Sequence, residues 1–378
     1  MVERLLCALA TEKEAQKTMS DTSPAISAQP EKTYILAPID APDPDNFALL
    51  IALAKLNPGA EIFVMLTGRP VRFNAGKEHA LWEWDMESSR MAQEASAVRA
   101  RNFLKHFDVP VSKVYDGGIA PRTLVPHWIH FSEYYKFLDV DPLAALRHSE
   151  LEPQEDLVKV LLSLPPKSVK VAVGGPMTGL HQLIVRCPEV VSRFAEVHAM
   201  FATWGNVQLM QFDDKPRGAL QFNVACDPQG AHAILMGLDC PVYLMPTEVT
   251  RVQAIGFPNA QKLKEALPDN KGTRMLYHLY CLWYDAAVKP RQDKNPEELI
   301  FIHDIVAAFS LDPELRQAIY NVVPVEISAV PHLPREAADW GKVFMKPSTS
   351  GESNIFAATG LTADGATKYL EALKRVFA

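Results

Sequence analysis

Residues 34–53 read YILAPIDAPDPDNFALLIAL, and the rest of the chain is arranged around them. Residues 34–39 are an apolar run of strand length. Asp40, Asp43 and Asp45 follow within six residues, with Asn46 behind them, and residues 47–56 read as an apolar helix. Acids crowded at the end of a buried strand repel one another, so burying them is costly unless something compensates. A hard divalent cation is the usual compensation, because Ca²⁺ takes oxygen ligands from carboxylates, amides and carbonyls. The plainer reading is a polar loop of solvated Asp and Pro residues, with Asp43 and Asp45 capping the helix. The stretch alone leaves both open.

The chain has 378 residues, 48% hydrophobic and 22% charged, which is enough for one large α/β domain or two smaller ones. A net charge of −7 with no basic block argues against nucleic acid as the main partner. The five cysteines (Cys7, Cys187, Cys226, Cys240 and Cys281) are scattered, with no CxxC pair. A zinc site or disulfide framework is therefore not expected, and a reducing, cytoplasmic setting fits. LLCALA near the start is too short for a secretory signal, and no apolar stretch reaches membrane-spanning length, so no membrane partner is expected. Residues 1–32 read as a flexible N-terminal tail and 33–378 as the folded domain.

Working outward, EIFVMLTGRP (61–70) is a second short apolar run, residues 86–107 have helical spacing, and VPVSKVYDGG (109–118) is a third strand. Strand, helix, strand, helix, strand at this spacing argues a parallel sheet with right-handed crossovers, whose ligands sit beyond the carboxyl ends of the strands. The Asp cluster, Gly68–Arg69 and Gly117–Gly118 all fall on that edge. Residues 121–141, rich in His and aromatics, read as a pocket cap or as a surface helix. SVKVAVGGPMTGLHQLI (168–184) is strand, Gly turn and helix, without a GxGxxG or a GxxxxGK[ST] phosphate loop. Gln221 and Asn223 flank Phe222; on an extended segment they project together, and neutral amides suit sugar hydroxyls. The plainer reading there is a polar loop before a helix starting at Asp227–Pro228. VYLMPTEVT (242–250) is another strand. Residues 261–287 read as one helix with Tyr277, Tyr280, Trp283 and Tyr284 along it, a stripe that more often packs in a core. In ELIFIHDIVAAFSLDPEL (298–315), His303 and Asp304 interrupt an apolar helix, where they need partners. The tail reads as a strand, a turn and a closing amphipathic helix.

Taken together, these segments resemble the inosine/uridine-preferring nucleoside hydrolase family, from about Thr33 to the C-terminus and in the family's order. Residues 40–50 look like its DxDPGxDD strand-turn-helix. GGPMTGL (174–180) is similar to its GPLTNL turn, and VYLMPTEVT to its PLDVT strand. Gly205–Asn206, Gln221-Phe222-Asn223 and Asp227–Pro228 are similar to its GN…EFN…DP segment, and IHDIVAAFSLDP (302–313) to its HDPLAVA…DP helix. The resemblance implies a single α/β domain with a mostly parallel central sheet flanked by helices. It implies hydrolysis of a ribonucleoside N-glycosidic bond with bound Ca²⁺, a nucleoside or riboside partner, a role in purine or pyrimidine salvage, and a homodimer or homotetramer.

The same resemblance implies roles. Asp40 matches the carboxylate that binds metal and deprotonates water, and Asp45 the acid that binds metal and ribose hydroxyls. Asn46 takes the place of a metal-binding Asp, the Gly174 carbonyl is a backbone ligand, and Asp304 is the last carboxylate ligand. Asn206, Gln221 and Asn223 would hold the ribose, His303 would face the leaving base, and Tyr280 and Tyr284 would line the base side. The chemistry agrees: cleavage passes through an oxocarbenium-like ribosyl cation, with the base expelled on one face and water arriving on the other.

Departures from the family pattern surround the ribose. The opening motif has an extra residue and lacks its Gly, so Asp43 competes with Asp40 as the base. Asn46 removes one negative charge, Gln221 stands for Glu, and Arg69 stands for the usual Asn, where it could pair with a phosphate or carboxylate. Either the substrate is a modified riboside, or the chain is a non-catalytic riboside binder that keeps the pocket.

Overall fold

The structure is a computed structural model that describes residues 32–40, 43–68, 86–105, 107, 109, 113–121, 151–205, 221–284, 298–332, 341–350 and 352–378. Arg69, Asn206, the 1–31 tail and the His- and aromatic-rich residues 122–141 lie outside the described residues.

The first half alternates strand and helix. β1 (Tyr34–Ile39) leads into α1 (Pro44–Leu56), followed by β2 (Glu61–Gly68), α2 (Met86–Lys105), β3 (Val114–Ile119) and the short β4 (Leu151–Glu152). After α3 (Gln154–Ser163) come β5 (Val169–Val173), α4 (Thr178–Arg186) and β6 (Phe194–Met200). The second half holds α5 (Phe222–Cys226), α6 (Pro228–Gly237), β7 (Val242–Met245), α7 (Thr247–Thr250), α8 (Ala260–Ala266) and α9 (Lys271–Trp283). It closes with α10 (Ile305–Leu311), α11 (Pro313–Ile319), β8 (Tyr320–Ala329), β9 (Phe344–Pro347), β10 (Ile355–Leu361) and α12 (Gly365–Phe377).

The strands form one ten-stranded sheet in the order β4-β3-β2-β1-β5-β6-β7-β10-β8-β9. From β4 to β10 every neighbouring pair is parallel; β8 and β9 join antiparallel at one edge and were not anticipated from the sequence. The chain builds β2 on one side of β1 and later lays β5 on the other. That reversal opens a crevice between the carboxyl ends of β1 and β5, the usual ligand position in an open α/β sheet. Asp40 follows β1 and Gly174 follows β5, so both stand at the crevice, where the Gly174 N–H donates to the Pro38 carbonyl at 2.9 Å.

Both faces of the sheet are covered. Ile35, Ala37 and Ile39 pack into a core with α1, α9, α10 and α12, whereas Leu36 faces the opposite core with Met65, Val171, Val173 and residues of α3, α4 and α6. Double coverage explains why the early strands are continuous apolar runs. α1 and α10 pack on each other and are themselves largely buried, every residue of α10 included.

Four local expectations change. The strand expected over 242–250 is strand only at Val242–Met245; Pro246 turns the chain into the short α7, Thr247–Thr250. The helix expected over 261–287 is two: α8 ends before Pro268, and α9 starts at an Asn270 cap with a reciprocal Thr273 bond. His303 and Asp304 precede α10 rather than interrupt it, because residues 299–302 are not helical and Ile300 bridges Phe257. Gln221 and Asn223 do not project together from an extended segment: Gln221 caps α5, and Asn223 lies within its first turn. The Asp227–Pro228 helix start is as expected, with the Asp227 side chain accepting from the Gly230 N–H. Among the described residues no helix is long and apolar enough to cross a membrane.

Candidate active site at the β1–β5 crevice

The site begins with the end of β1. Asp43 caps α1, accepting from the Asp45 N–H at 3.3 Å, and Pro44 occupies the first helical turn, where its missing N–H is no loss. This turn carries Asp45 and Asn46 inward beside Asp40; the three are 9%, 0% and 2% exposed, so their polar atoms must find partners within the protein. The Asn46 amide donates to Asp40 Oδ1 at 2.8 Å. Its own Oδ1 is buried and has no hydrogen-bond partner.

The turn after β5 closes the other side. A Cβ on Gly174 would lie 2.6 Å from Asn46 Oδ1, 2.8 Å from Leu49 Cδ2 and 3.3 Å from Asp304 Cβ. A Cβ on Gly175 would lie 2.9 Å from the Asp40 backbone nitrogen. Both glycines are therefore needed for close approach, and Asp304 and Asn46, 258 positions apart in the chain, meet over Gly174. Asn223 fixes the same turn, its amide donating to the Gly174 and Met200 carbonyls at 3.2 Å each. Thr178 donates to Asp227 at 2.7 Å, tying the Gly turn to the start of α6.

Asp45 points to a second group of partners. The Tyr280 hydroxyl donates to its Oδ1, and the His303 N–H donates to its Oδ2 at 3.1 Å. Burial, with the neighbouring charge of Asp43, pushes the Asp45 carboxyl well above the usual range; the Tyr280 and His303 bonds oppose this, and Asp40 adds to it. Burial and the Asp45 charge likewise raise the Tyr280 phenol. The His303 ring is oriented through Nδ1, 2.9 Å from Thr250 Oγ1.

Gln221 is fully buried, with Oε1 accepting from the Val224 N–H at 2.7 Å and Nε2 3.4 Å from Met200 Sδ. Its amide thus supports the site wall. Tyr280 is also fully buried and meets Asp45 rather than an open base pocket, while Tyr284 is half-buried at the end of α9.

A family model described as inosine-uridine preferring nucleoside hydrolase matches residues 90–367. The chain belongs to that family. Its fold is similar to solved nucleoside hydrolases: a plant enzyme, PpNRh1, at 15% identity and TM-score 0.60, covering 92% of this chain and 100% of that one. A purine-preferring ribonucleoside hydrolase from Gardnerella vaginalis gives 16% and 0.60, over 91% and 98%. An inosine-uridine preferring hydrolase from Bacillus anthracis gives 12% and 0.59, also over 91% and 98%. An uncharacterized protein of Schizosaccharomyces pombe is 22% identical over 262 residues, 67% of this chain and 79% of that one. The family match starts after residues 34–56, so the placement of the β1 acids rests on the geometry above.

The chain brings together Asp40, Asn46, Gly174, Asn223 and Asp304 at the crevice, with Asp45, Tyr280 and His303 alongside. Met200 and Thr250 were not singled out from the sequence, since a carbonyl and a hydroxyl act here only through residues distant in the chain. Among the described residues no group of three His, Cys, Asp or Glu side chains forms a metal-holding cluster. The donors present are all oxygens: the carboxylates of Asp40 and Asp304, the partnerless Asn46 Oδ1 and the Gly174 carbonyl. That chemistry fits a hard cation, with little ligand charge.

Proposed function

We propose that the crevice hydrolyses the N-glycosidic bond of a ribonucleoside or modified riboside, releasing free base and ribose. The observation carrying this reading is the meeting of Asp40, Asn46 and Asp304 over the Gly174 turn at the sheet's switch point. Asp40 is the general base: it takes the proton of a water that attacks the anomeric carbon as the bond to the base nitrogen breaks. Asp45, fixed by Tyr280 and the His303 N–H, accepts from ribose hydroxyls. His303, oriented by Thr250, faces the departing base and supplies a hydrogen bond as charge develops there. Asn223 and Gln221 keep the Gly turn and its surroundings in register, so that the sugar meets a preformed wall. Arg69 and Asn206 complete the sugar side in this assignment, with Arg69 suited to an anionic group on a modified riboside, and Tyr284 borders the base.

A hard cation, Ca²⁺ by the donor chemistry, would be held by Asp40, Asn46, Asp304 and the Gly174 carbonyl, with Asp45 adjacent. When bound it would make water more acidic and engage the sugar hydroxyls. The test is a panel of ribosides, phosphorylated and modified ones included, assayed for free base with and without Ca²⁺. Base release that disappears in Asp40→Asn supports the reading. Riboside binding without release from any member would instead make the protein a binder that keeps the pocket.

A further inference from the structure

Position 46 governs how the carboxylates at the crevice coexist. Asn46 and Asp40 are both buried, with the amide nitrogen 2.8 Å from Asp40 Oδ1. Turned the other way, the amide would set two acceptor oxygens against each other at that distance with no proton between them, so the orientation follows from its neighbours. A carboxylate at position 46 would create that same opposition, with Asp304 as a third acid across Gly174. Three acids so placed repel one another when ionised, and a cation among them would relieve that repulsion. The amide lessens that repulsion: it leaves position 46 uncharged and donates a hydrogen bond to Asp40.

We propose that Asn46 holds Asp40 in place when no ion is bound, so that this site forms without a cation and takes a divalent one weakly and exchangeably. The inference rests on the riboside-hydrolysis reading and deepens it. Asn46 Oδ1, buried and without a hydrogen-bond partner beside Gly174, still offers a ligand, which is why a cation remains admissible. What falls is the ligand charge, to the two carboxylates of Asp40 and Asp304, and Ca²⁺ affinity in oxygen sites follows ligand charge.

The test uses the full chain, stripped of divalent ions with a chelator, and compares wild type with Asn46→Asp by calorimetric titration with CaCl₂ and by thermal melting. Wild type is expected to show no saturation below about 100 μM Ca²⁺ and to melt at nearly the same temperature with or without the ion. Asn46→Asp is expected to melt lower in chelator, to recover with Ca²⁺, and to bind the ion at least about tenfold more tightly than wild type. Low-micromolar saturation of wild type, or a variant that binds no more tightly, overturns the proposal. Should Asn46→Asp not fold without the ion, the wild-type titration decides alone. Absence of base release from every riboside would remove the functional reading and leave the cation result standing, whereas tight wild-type Ca²⁺ binding with base release would do the reverse.

Discussion

Asp45 shows how a buried acid is held by groups that no local pattern announces. Its two oxygens accept from a tyrosine 235 positions away and from a backbone N–H 258 positions away. Tyr280→Phe keeps the ring and deletes the hydroxyl, leaving a buried carboxylate short of a donor. It is expected to lower stability by about 1–3 kcal/mol in urea denaturation and to raise the KM for the best riboside more than it lowers kcat. Asp40→Asn is expected to act oppositely, reducing kcat on the order of 10²-fold or more with riboside binding retained in a titration. The residue types were legible in the sequence, because acids after an apolar strand demand explanation. Which acid faces which donor was not, because hydrogen bonds between distant segments leave no mark on spacing.

At the scale of elements, the segment 298–304 matters most, since it delivers His303 and Asp304. It read as helix because its apolar residues continue into α10. Its course is instead fixed from outside. Arg251, just after α7, makes a two-pronged pair with Glu298, both bonds 2.8 Å, and lies over Phe301 at 5.2 Å. Ile300 exchanges backbone bonds with Phe257, and the Ile302 carbonyl accepts from the Tyr369 hydroxyl. Arg251→Met strips a largely buried carboxylate of its guanidinium, and a loss of about 3–5 kcal/mol in equilibrium unfolding is expected. The turn after β5 is constrained differently. Gly175→Ala would push a methyl to 2.9 Å from backbone, which cannot rotate away, so the variant is expected to fall in both melting temperature and riboside affinity. The motif GGPMTGL pointed to this turn, but only the packing shows that the second glycine leaves room for Asp40.

Across the whole molecule, the sheet buries a polar group outside the crevice chemistry, within β6. His198 of β6 is fully buried, with Nδ1 2.9 Å from Ser310 Oγ and Nε2 3.2 Å from Glu196, which also pairs with Lys170 at 2.8 Å. Its ring stacks on Tyr243, and Arg316 covers Tyr243 from above at 4.1 Å. Burial pushes the His198 ring below its usual value, against the pull of Glu196. For Glu196, burial works upward but the His198 and Lys170 contacts prevail and hold it at about 2. Both shifts leave the folded state with fewer protons than the unfolded chain. The His198 contribution is thus lost as pH falls below the unfolded value of about 6.5, and that of Glu196 as pH falls from about 4.5 toward 2. Melting temperature is therefore expected to drop between pH 7 and 5 more steeply in wild type than in His198→Gln, a comparison calorimetry can make. The fold class was legible in the sequence, because strands covered on both faces must be continuous apolar runs separated by helices. The antiparallel β8 and β9 were not, since the partly exposed strands at this end of the sheet lack that run.

The sequence by itself determined the α/β class, the edge on which the polar motifs gather and the residue types that meet there, because burial on two faces and turn chemistry are written in local pattern. Only the tertiary structure decided that Asn46 bonds Asp40, that Asp304 and Asn46 both pack against a side-chain-free Gly174, and that Tyr280 holds Asp45. Those pairings depend on strand order, helix crossing and the room left by two glycines, which are properties of the packed chain and of no single stretch within it.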